Sequence, residues 1–244
     1  MTPTDIPCKK YVIITAGGSG SRMKSKVAKQ FIEIDGKPIL LHTINLFRSL
    51  PFEVEIILVL PDNYRLYWDD YCQRNDIAVR CKITKGGITR FHSVKNGLEL
   101  TGDSGIVAIH DGVRPFADKD MIAKMFRYNF ATSEDVAGVI PVMPAVESMR
   151  RILRDKRGNP VGTQTVDRAD YISVQTPQVF DLAKLKAAYK QPYLPQFTDD
   201  ASVIEKAVYK VDTIPGNRFN IKITVPQDLE LAEVIYSSLV QNSL

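Results

Sequence analysis

Nearly from end to end, short β-branched apolar runs alternate with longer amphipathic segments, and this alternation limits what the chain can fold into. A strand that is apolar on both faces must be covered on both, and amphipathic helices crossing over between mostly parallel strands provide that cover. Residues 11–15, 54–60, 77–83, 105–109 and 136–142 read as strands. The run 105–109 is continuous rather than alternating, which predicts burial on both faces. Residues 38–50, 63–74, 89–100 and 119–130 read as helices; in the first, Ile39, Leu40, Ile44, Leu46 and Phe47 fall on one face. Residues 224–227 have the form of a capping box with Pro226 in the first turn, followed by Leu231, Val234 and Ile235 at helical spacing.

The rhythm breaks at residues 144–161, which are short of large apolar side chains, carry Arg150, Arg151, Arg154, Lys156 and Arg157, and turn at Gly158-Asn159-Pro160. Such a segment buries little surface alone. It is either a loop or a hairpin arm that gains its buried surface from a partner subunit. There is no internal repeat, low-complexity tract or linker, so residues 1–244 are expected to form a single domain with an arm at about 144–161.

Composition removes other classes. At 44% apolar and 25% charged, the 244 residues are neither disordered nor fibrous. Apolar runs such as 56–60 fall far short of the roughly 20 residues needed to cross a bilayer, and the first ten residues contain Asp5 and no apolar core. A cytoplasmic protein without membrane or secretory segments is expected. Cys8, Cys72 and Cys81 have neither disulfide nor zinc-ligand spacing, and a net charge of +4 is too slight for a nucleic-acid coat.

Chemistry concentrates in two places. Directly after the first strand comes Ala16-Gly17-Gly18-Ser19-Gly20-Ser21-Arg22-Met23, where a doubly wound sheet puts its ligand crevice and where glycines let backbone N–H groups approach phosphate oxygens. Met23 stands where a dinucleotide fingerprint needs glycine or alanine, and the spacing is not that of a Walker loop. Arg22, Lys24, Lys26 and Lys29 lie within eight residues of one another, enough cationic charge for a triphosphate, although a Gly/Ser turn with solvated lysines has the same pattern. The second place is His110-Asp111-Gly112-Val113-Arg114-Pro115, after the buried strand. Asp111 either holds a hard cation such as Mg²⁺ with Arg114 clamping the site, or begins a turn and pairs locally with Arg114. His110, like His42 and His92, has no ligand-like spacing, and reads as a strand-end imidazole facing a helix.

The run 14–23, with Ala28-Lys29-Gln30-Phe31 after it, resembles the nucleotide-binding signature of the sugar-phosphate nucleotidyltransferases. Gly86-Gly87 with Arg90 and Ser93, and the run 109–115, are similar to the 2-C-methyl-D-erythritol 4-phosphate cytidylyltransferase family of the non-mevalonate isoprenoid pathway. Thr165-Val166-Asp167-Arg168, Gln175-Thr176-Pro177-Gln178, Thr198-Asp199-Asp200-Ala201-Ser202 and Asn220-Ile221-Lys222-Ile223-Thr224 continue the likeness in order, from about Tyr11 to about Val234.

This resemblance implies an α/β, Rossmann-like three-layer sandwich with a mostly parallel sheet and a protruding β-arm that makes a homodimer. It implies CTP and a sugar-alcohol phosphate as substrates, Mg²⁺ as cofactor, transfer of CMP and release of pyrophosphate. By the same resemblance Arg22, Lys29 and Lys222 are the catalytic cations and Asp111 the metal ligand. Ala16, Gly17, Gly18, Gly20, Gly87, Arg90, Ser93 and Asp111 would meet the nucleotide. Arg114, Ser148, Arg168, Thr176, Thr198 and Lys222 would surround the acceptor, with Ser148 and Arg168 reaching across the dimer. Ser148 replaces the family's usual threonine, and Phe219 stands where many relatives carry an acid, so no second metal carboxylate is expected there.

The chemistry suits the residues. A phosphate monoester, with a second pKa of about 6, is largely dianionic at neutral pH and needs no general base, so no histidine has to act. Ribitol-5-phosphate cytidylyltransferases share the Phe-Asn-Ile-Lys-Ile-Thr wording and are the nearest alternative. A catalytically silent nucleotide-binding module would be expected to have lost one of Arg22, Lys29, Asp111 or Lys222, and all four are present.

Overall fold

The computed structural model describes residues 8–18, 27–78, 80–132 and 135–241. Gly20 and Arg22, with Lys24 and Lys26, lie outside the described residues.

In chain order the elements are β1 (Lys10–Thr15), β2 (Glu33–Ile34), β3 (Lys37–Pro38), α1 (Ile39–Arg48), β4 (Glu55–Leu60), α2 (Asp62–Arg74) and β5 (Lys82–Lys85). Then come α3 (Arg90–Leu98), β6 (Ile106–Asp111), α4 (Lys119–Phe126), β7 (Val136–Pro144), β8 (Arg150–Arg154) and β9 (Pro160–Thr165). The chain continues through β10 (Ile172–Val174), β11 (Gln178–Asp181), α5 (Leu182–Ala188), α6 (Asp200–Lys206), β12 (Lys210–Pro215) and α7 (Pro226–Gln241).

The main sheet runs β10-β7-β11-β6-β1-β4-β5, with β12 parallel to β7. β5, β4, β1 and β6 are mutually parallel; β11 lies antiparallel between β6 and β7, and β10 is antiparallel to β7. The alternation of β1 shows why the strands read as unbroken apolar runs. Val12 and Ile14 face a core with Leu40, Ile44, Phe47, Trp68 and Ile122 from α1, α2 and α4, whereas Tyr11 and Ile13 face Val94, Leu98, Leu185 and Ile204 from α3, α5 and α6. Helices thus cover both faces, giving three layers. A smaller cluster of Ile34, Ile39, Val113, Phe116, Ile223, Ala232 and Ile235 seats α7. Among the described residues no helix is long and apolar enough to cross a membrane.

The structure departs from the sequence reading at several boundaries. The strand expected at 77–83 starts later, at Lys82, and runs to Lys85 as β5, which pairs with β4 at the edge of the sheet. The helix expected to reach 130 ends at Phe126, where the Arg127 and Tyr128 N–H groups bond to Lys124 and Met125 carbonyls at 3.1 Å, tightening the last turn. The α7 cap is formed by Asp228, whose Oδ2 accepts from the N–H of Thr224 and Val225 and from the Thr224 hydroxyl at 2.7–3.0 Å.

The basic segment forms a hairpin of β8 and β9 that extends to Thr165, beyond the expected end at 161. Asp155 closes its turn by accepting the N–H groups of Arg157 and Asn159, and Gly158 supplies a φ of +84°. Every residue of both strands is exposed in this chain.

Candidate active site

Parallel pairing brings the ends of the central strands to one edge. β1 and β6 are in register with Thr15 beside Asp111, so the glycine loop and the His110–Arg114 loop leave the sheet side by side. Each loop is clipped to a neighbouring strand: Gly112 N–H donates to Thr15 O, Ala16 N–H to Val59 O and Gly86 N–H to Leu60 O, at 2.8–2.9 Å. Between them lies a cavity of about 440 Å³ bordered by Ala16, Gly17, Gly18, Lys29, Gly87, Arg90, Ser93, Asp111 and Lys222, all predicted from sequence. It opens where open α/β sheets bind ligands, beyond the carboxyl ends of the strands.

Asp111 is the charged centre. Its carboxylate lies 3.0 Å from Lys222 Nζ, 3.2 Å from Arg114 Nε and 3.7 Å from Arg90 Nε. Burial alone would raise this carboxyl, but Arg90, Lys222 and Arg114 outweigh it and hold it well below the usual carboxylate range. Asp111 therefore both pairs with Arg114 across the turn and belongs to a larger ion cluster. Lys222 is the most exposed cation of the three, its side chain 41% accessible against 13% for Arg114. Its height above Asp111 follows from its neighbours: Ile223 is fully buried and donates its N–H to Val113 O at 3.0 Å, leaving the alternate residue facing out.

Behind Asp111 is a hydrogen-bonded brace. His110 is fully buried, edge-on to Phe47 of α1, with Nε2 2.9 Å from Arg114 O and Nδ1 3.1 Å from Thr176 Oγ1. A carbonyl only accepts, so Nε2 carries the proton and Nδ1 accepts the Thr176 hydroxyl hydrogen. Thr176 Oγ1 in turn accepts the Asp111 N–H at 3.1 Å. Burial pushes the His110 imidazole down to about 4. Asn220 completes the brace, donating from Nδ2 to Thr176 O and accepting at its carbonyl from Arg114 Nη1, both at 2.8 Å.

Another wall is the first turn of α3. Ser93 Oγ donates to Thr89 O at 3.0 Å and accepts from Gly87 N–H at 2.9 Å, closing the Gly86–Gly87 loop onto the helix. A Cβ on Gly87 would stand 2.3 Å from the Cβ of His92, so that approach excludes other residues. The Lys29 side chain runs beside the glycine loop, where a Cβ on Gly18 would lie 3.6 Å from Lys29 Cε.

Not every predicted residue borders the cavity. Arg114 and Thr176 stand behind Asp111; Ser148, Arg168 and Thr198 are exposed and do not line it. Arg168 Nη1 donates to Val146 O at 2.5 Å, which holds it to the loop that carries Ser148. Three buried polar residues escaped the sequence reading as site components. Gln30 donates to Ala16 O at 3.0 Å; Gln178 Oε1 accepts the N–H groups of Asp200 and Ala201 at 3.0 Å; Asp200 Oδ2 lies 2.6 Å from Arg90 Nη2. All three sit inside motifs visible in the sequence, but only tertiary contact reveals their partners.

Residues 10–238 match the family described as IspD, 2-C-methyl-D-erythritol 4-phosphate cytidylyltransferase. The chain belongs to this family. Family members of that name from Phocaeicola vulgatus and Porphyromonas gingivalis are 46% and 42% identical, over 93% and 94% of this chain and 99% of each relative. Among solved structures, the 4-diphosphocytidyl-2C-methyl-D-erythritol synthase of Anaerococcus prevotii superposes with a TM-score of 0.74 at 27% identity, covering 94% of this chain and 96% of that one. The Francisella tularensis 2-C-methyl-D-erythritol 4-phosphate cytidylyltransferase gives the same TM-score and identity, covering 93% and 99%. The cytidylyltransferase family thus accounts for both the order of the motifs and the architecture that gathers them.

Proposed function

We propose that this protein transfers CMP from CTP to 2-C-methyl-D-erythritol 4-phosphate, giving 4-diphosphocytidyl-2-C-methyl-D-erythritol and pyrophosphate in the non-mevalonate isoprenoid pathway. The observation that carries the reading is the anionic Asp111, ringed by cations at the mouth of a glycine-walled cavity, in a chain 42–46% identical to cytidylyltransferases of that name.

In the reaction an acceptor phosphate oxygen bonds to the α-phosphorus of CTP while the bond to the bridging oxygen breaks, its electron pair leaving with pyrophosphate. The acceptor is already dianionic, so no proton need be removed. This agrees with a site whose one buried imidazole, His110, spends both ring nitrogens on structure. The task left to the protein is electrostatic: to bring two anions together and stabilise charge on the α-phosphate. Lys29 and Lys222 border the cavity for that role, and the resemblance adds Arg22.

A divalent cation fits the donor chemistry. Asp111 is the one carboxylate among the described residues lining the cavity, and Mg²⁺ commonly takes one or two protein carboxylates together with substrate phosphates and water. Asp111 would hold the ion, which would offset triphosphate charge when bound. We extend the reading to a cytoplasmic homodimer: one domain over residues 1–244 carrying the β8–β9 arm, with Ser148 and Arg168 completing the partner's acceptor site. Apolar side chains support it, Ile152 and Val161 being 52% and 64% exposed on the arm.

Pyrophosphate release from CTP and Mg²⁺ tests the function, with 2-C-methyl-D-erythritol 4-phosphate and ribitol 5-phosphate as parallel acceptors and UTP and ATP as donor controls. Release dependent on the methylerythritol acceptor is expected. Release with ribitol phosphate alone would move the acceptor assignment, and silence with both alongside CTP binding would leave a nucleotide-binding module.

A further inference from the structure

Arg90 opens α3 and borders the nucleotide cavity, yet its guanidinium is directed elsewhere. Nη2 lies 2.6 Å from Asp200 Oδ2, and Nε lies 3.7 Å from Asp111 Oδ1. Asp200 is fully buried, and its other oxygen accepts the Tyr189 hydroxyl at 2.5 Å. Its N–H is taken by Gln178, whose Nε2 donates to Asp199 Oδ2 at 2.8 Å. Asp200 therefore has both carboxylate oxygens committed inside the protein, and it takes the Nη2 end of Arg90.

The next residue of α3 repeats the connection in apolar form. Phe91 stacks on Tyr189 at 4.7 Å and on Phe197 at 5.6 Å between ring centroids. Thr198 thus lies between two anchored neighbours, Phe197 packed on Phe91 and Asp200 paired with Arg90. The same helical turn supplies Ser93, which closes the Gly86–Gly87 wall of the nucleotide cavity.

We infer that Arg90 is a positioning residue rather than a nucleotide ligand: by bridging Asp200 to Asp111 it fixes the turn at residues 197–200 to the nucleotide wall and keeps Thr198 in register with the reacting centre. Two buried carboxylates sharing one guanidinium form a rigid link, since Arg presents several donors in a planar fork that Lys lacks. The inference rests on the reading of Thr198 as an acceptor-side residue.

Arg90→Gln, Arg90→Lys, Asp200→Asn and the double variant Arg90→Gln/Asp200→Asn test it, the last removing both charges of the pair so that folding does not hinge on one unpaired ion. Three quantities are read: the calorimetric dissociation constant for CTP without acceptor, the acceptor KM and kcat, and amide hydrogen exchange of residues 197–202. Arg90→Gln is expected to change CTP affinity less than about threefold, raise the acceptor KM at least about tenfold and speed exchange in 197–202, with partial recovery in Arg90→Lys. Asp200→Asn should give the same pattern, and the double variant should be no worse than the worse single one, as for residues acting in one link. CTP binding weakened more than about tenfold with acceptor KM unchanged would make Arg90 a nucleotide ligand and overturn the proposal, as would unchanged exchange in 197–202. If wild-type protein fails to use the methylerythritol acceptor, the functional reading is at fault, while exchange still decides whether Arg90 holds the turn.

Discussion

Asp111 remains ionised inside the protein because three cations surround it, and each reaches it by a different route: Arg114 from the same turn, Arg90 from α3 and Lys222 from the segment before α7. Lys29 also borders the cavity, beside the glycine loop. If charge on the α-phosphate grows as pyrophosphate leaves, Lys29 matters more in the transition state than in the bound ground state. Lys29→Ala is expected to lower kcat by about a hundred- to a thousandfold, with a much smaller change in CTP affinity. Steady-state kinetics and CTP calorimetry check this, and an unchanged kcat would remove Lys29 from catalysis.

His110 couples stability to pH. Its folded-state value of about 4 lies below the ordinary 6.5, so as pH falls through 6.5 the unfolded chain takes up a proton before the native one does. The neutral imidazole's contribution is intact above pH 6.5 and is lost progressively down to about 4, by up to about 3 kcal/mol. Urea unfolding of wild type and His110→Gln at pH 7 and pH 5 should show a smaller acid loss in the variant. Equal losses would place the acid sensitivity elsewhere. Asp111 acts in a lower window, its depressed value giving stability that persists above its ordinary range and is lost in stronger acid.

At the scale of elements, the hairpin β8–β9 is the part of the fold that the chain cannot justify alone. Among the described residues its strands pair with each other alone, and both are exposed throughout. A two-stranded ribbon is marginal in water, so a covering partner is the economical source of its stability. If the arm makes the proposed homodimer, Ile152→Glu is expected to shift sedimentation from dimer to monomer and, with Arg168 and Ser148 displaced from the proposed acceptor site, to raise the acceptor KM at least about tenfold, with CTP binding retained. A dimer that survives this substitution would locate the interface elsewhere. Helix α7 contrasts with the arm: the side chain of Asp228 caps it, and Ala232 and Ile235 bury it against Ile223, so it steadies the neighbouring Lys222.

For the whole molecule, the central strands and the helices between them were readable because burial on both faces forces a continuous apolar run, as in β1 and β4. The local pairing of Asp111 with Arg114 was open to the sequence as one of two readings, because residues three apart in a strand-end turn have few geometries. The antiparallel β11, inserted between β6 and β7, was not, since its four residues carry too little periodicity to show direction or neighbour. Nor was the link from Arg90 to Asp200, which are 110 residues apart. The layered α/β class and, through ordered motifs, the family are legible in the sequence alone. Folding alone settles which cation meets which carboxylate, that the hydrogen-bonding groups of His110 and Thr176 are spent on bracing Asp111, and that Arg90 pairs with Asp200. Patterning reports which face of an element is buried, whereas ion pairs and hydrogen bonds depend on contacts a few ångströms long between elements whose separation along the chain carries no local signal.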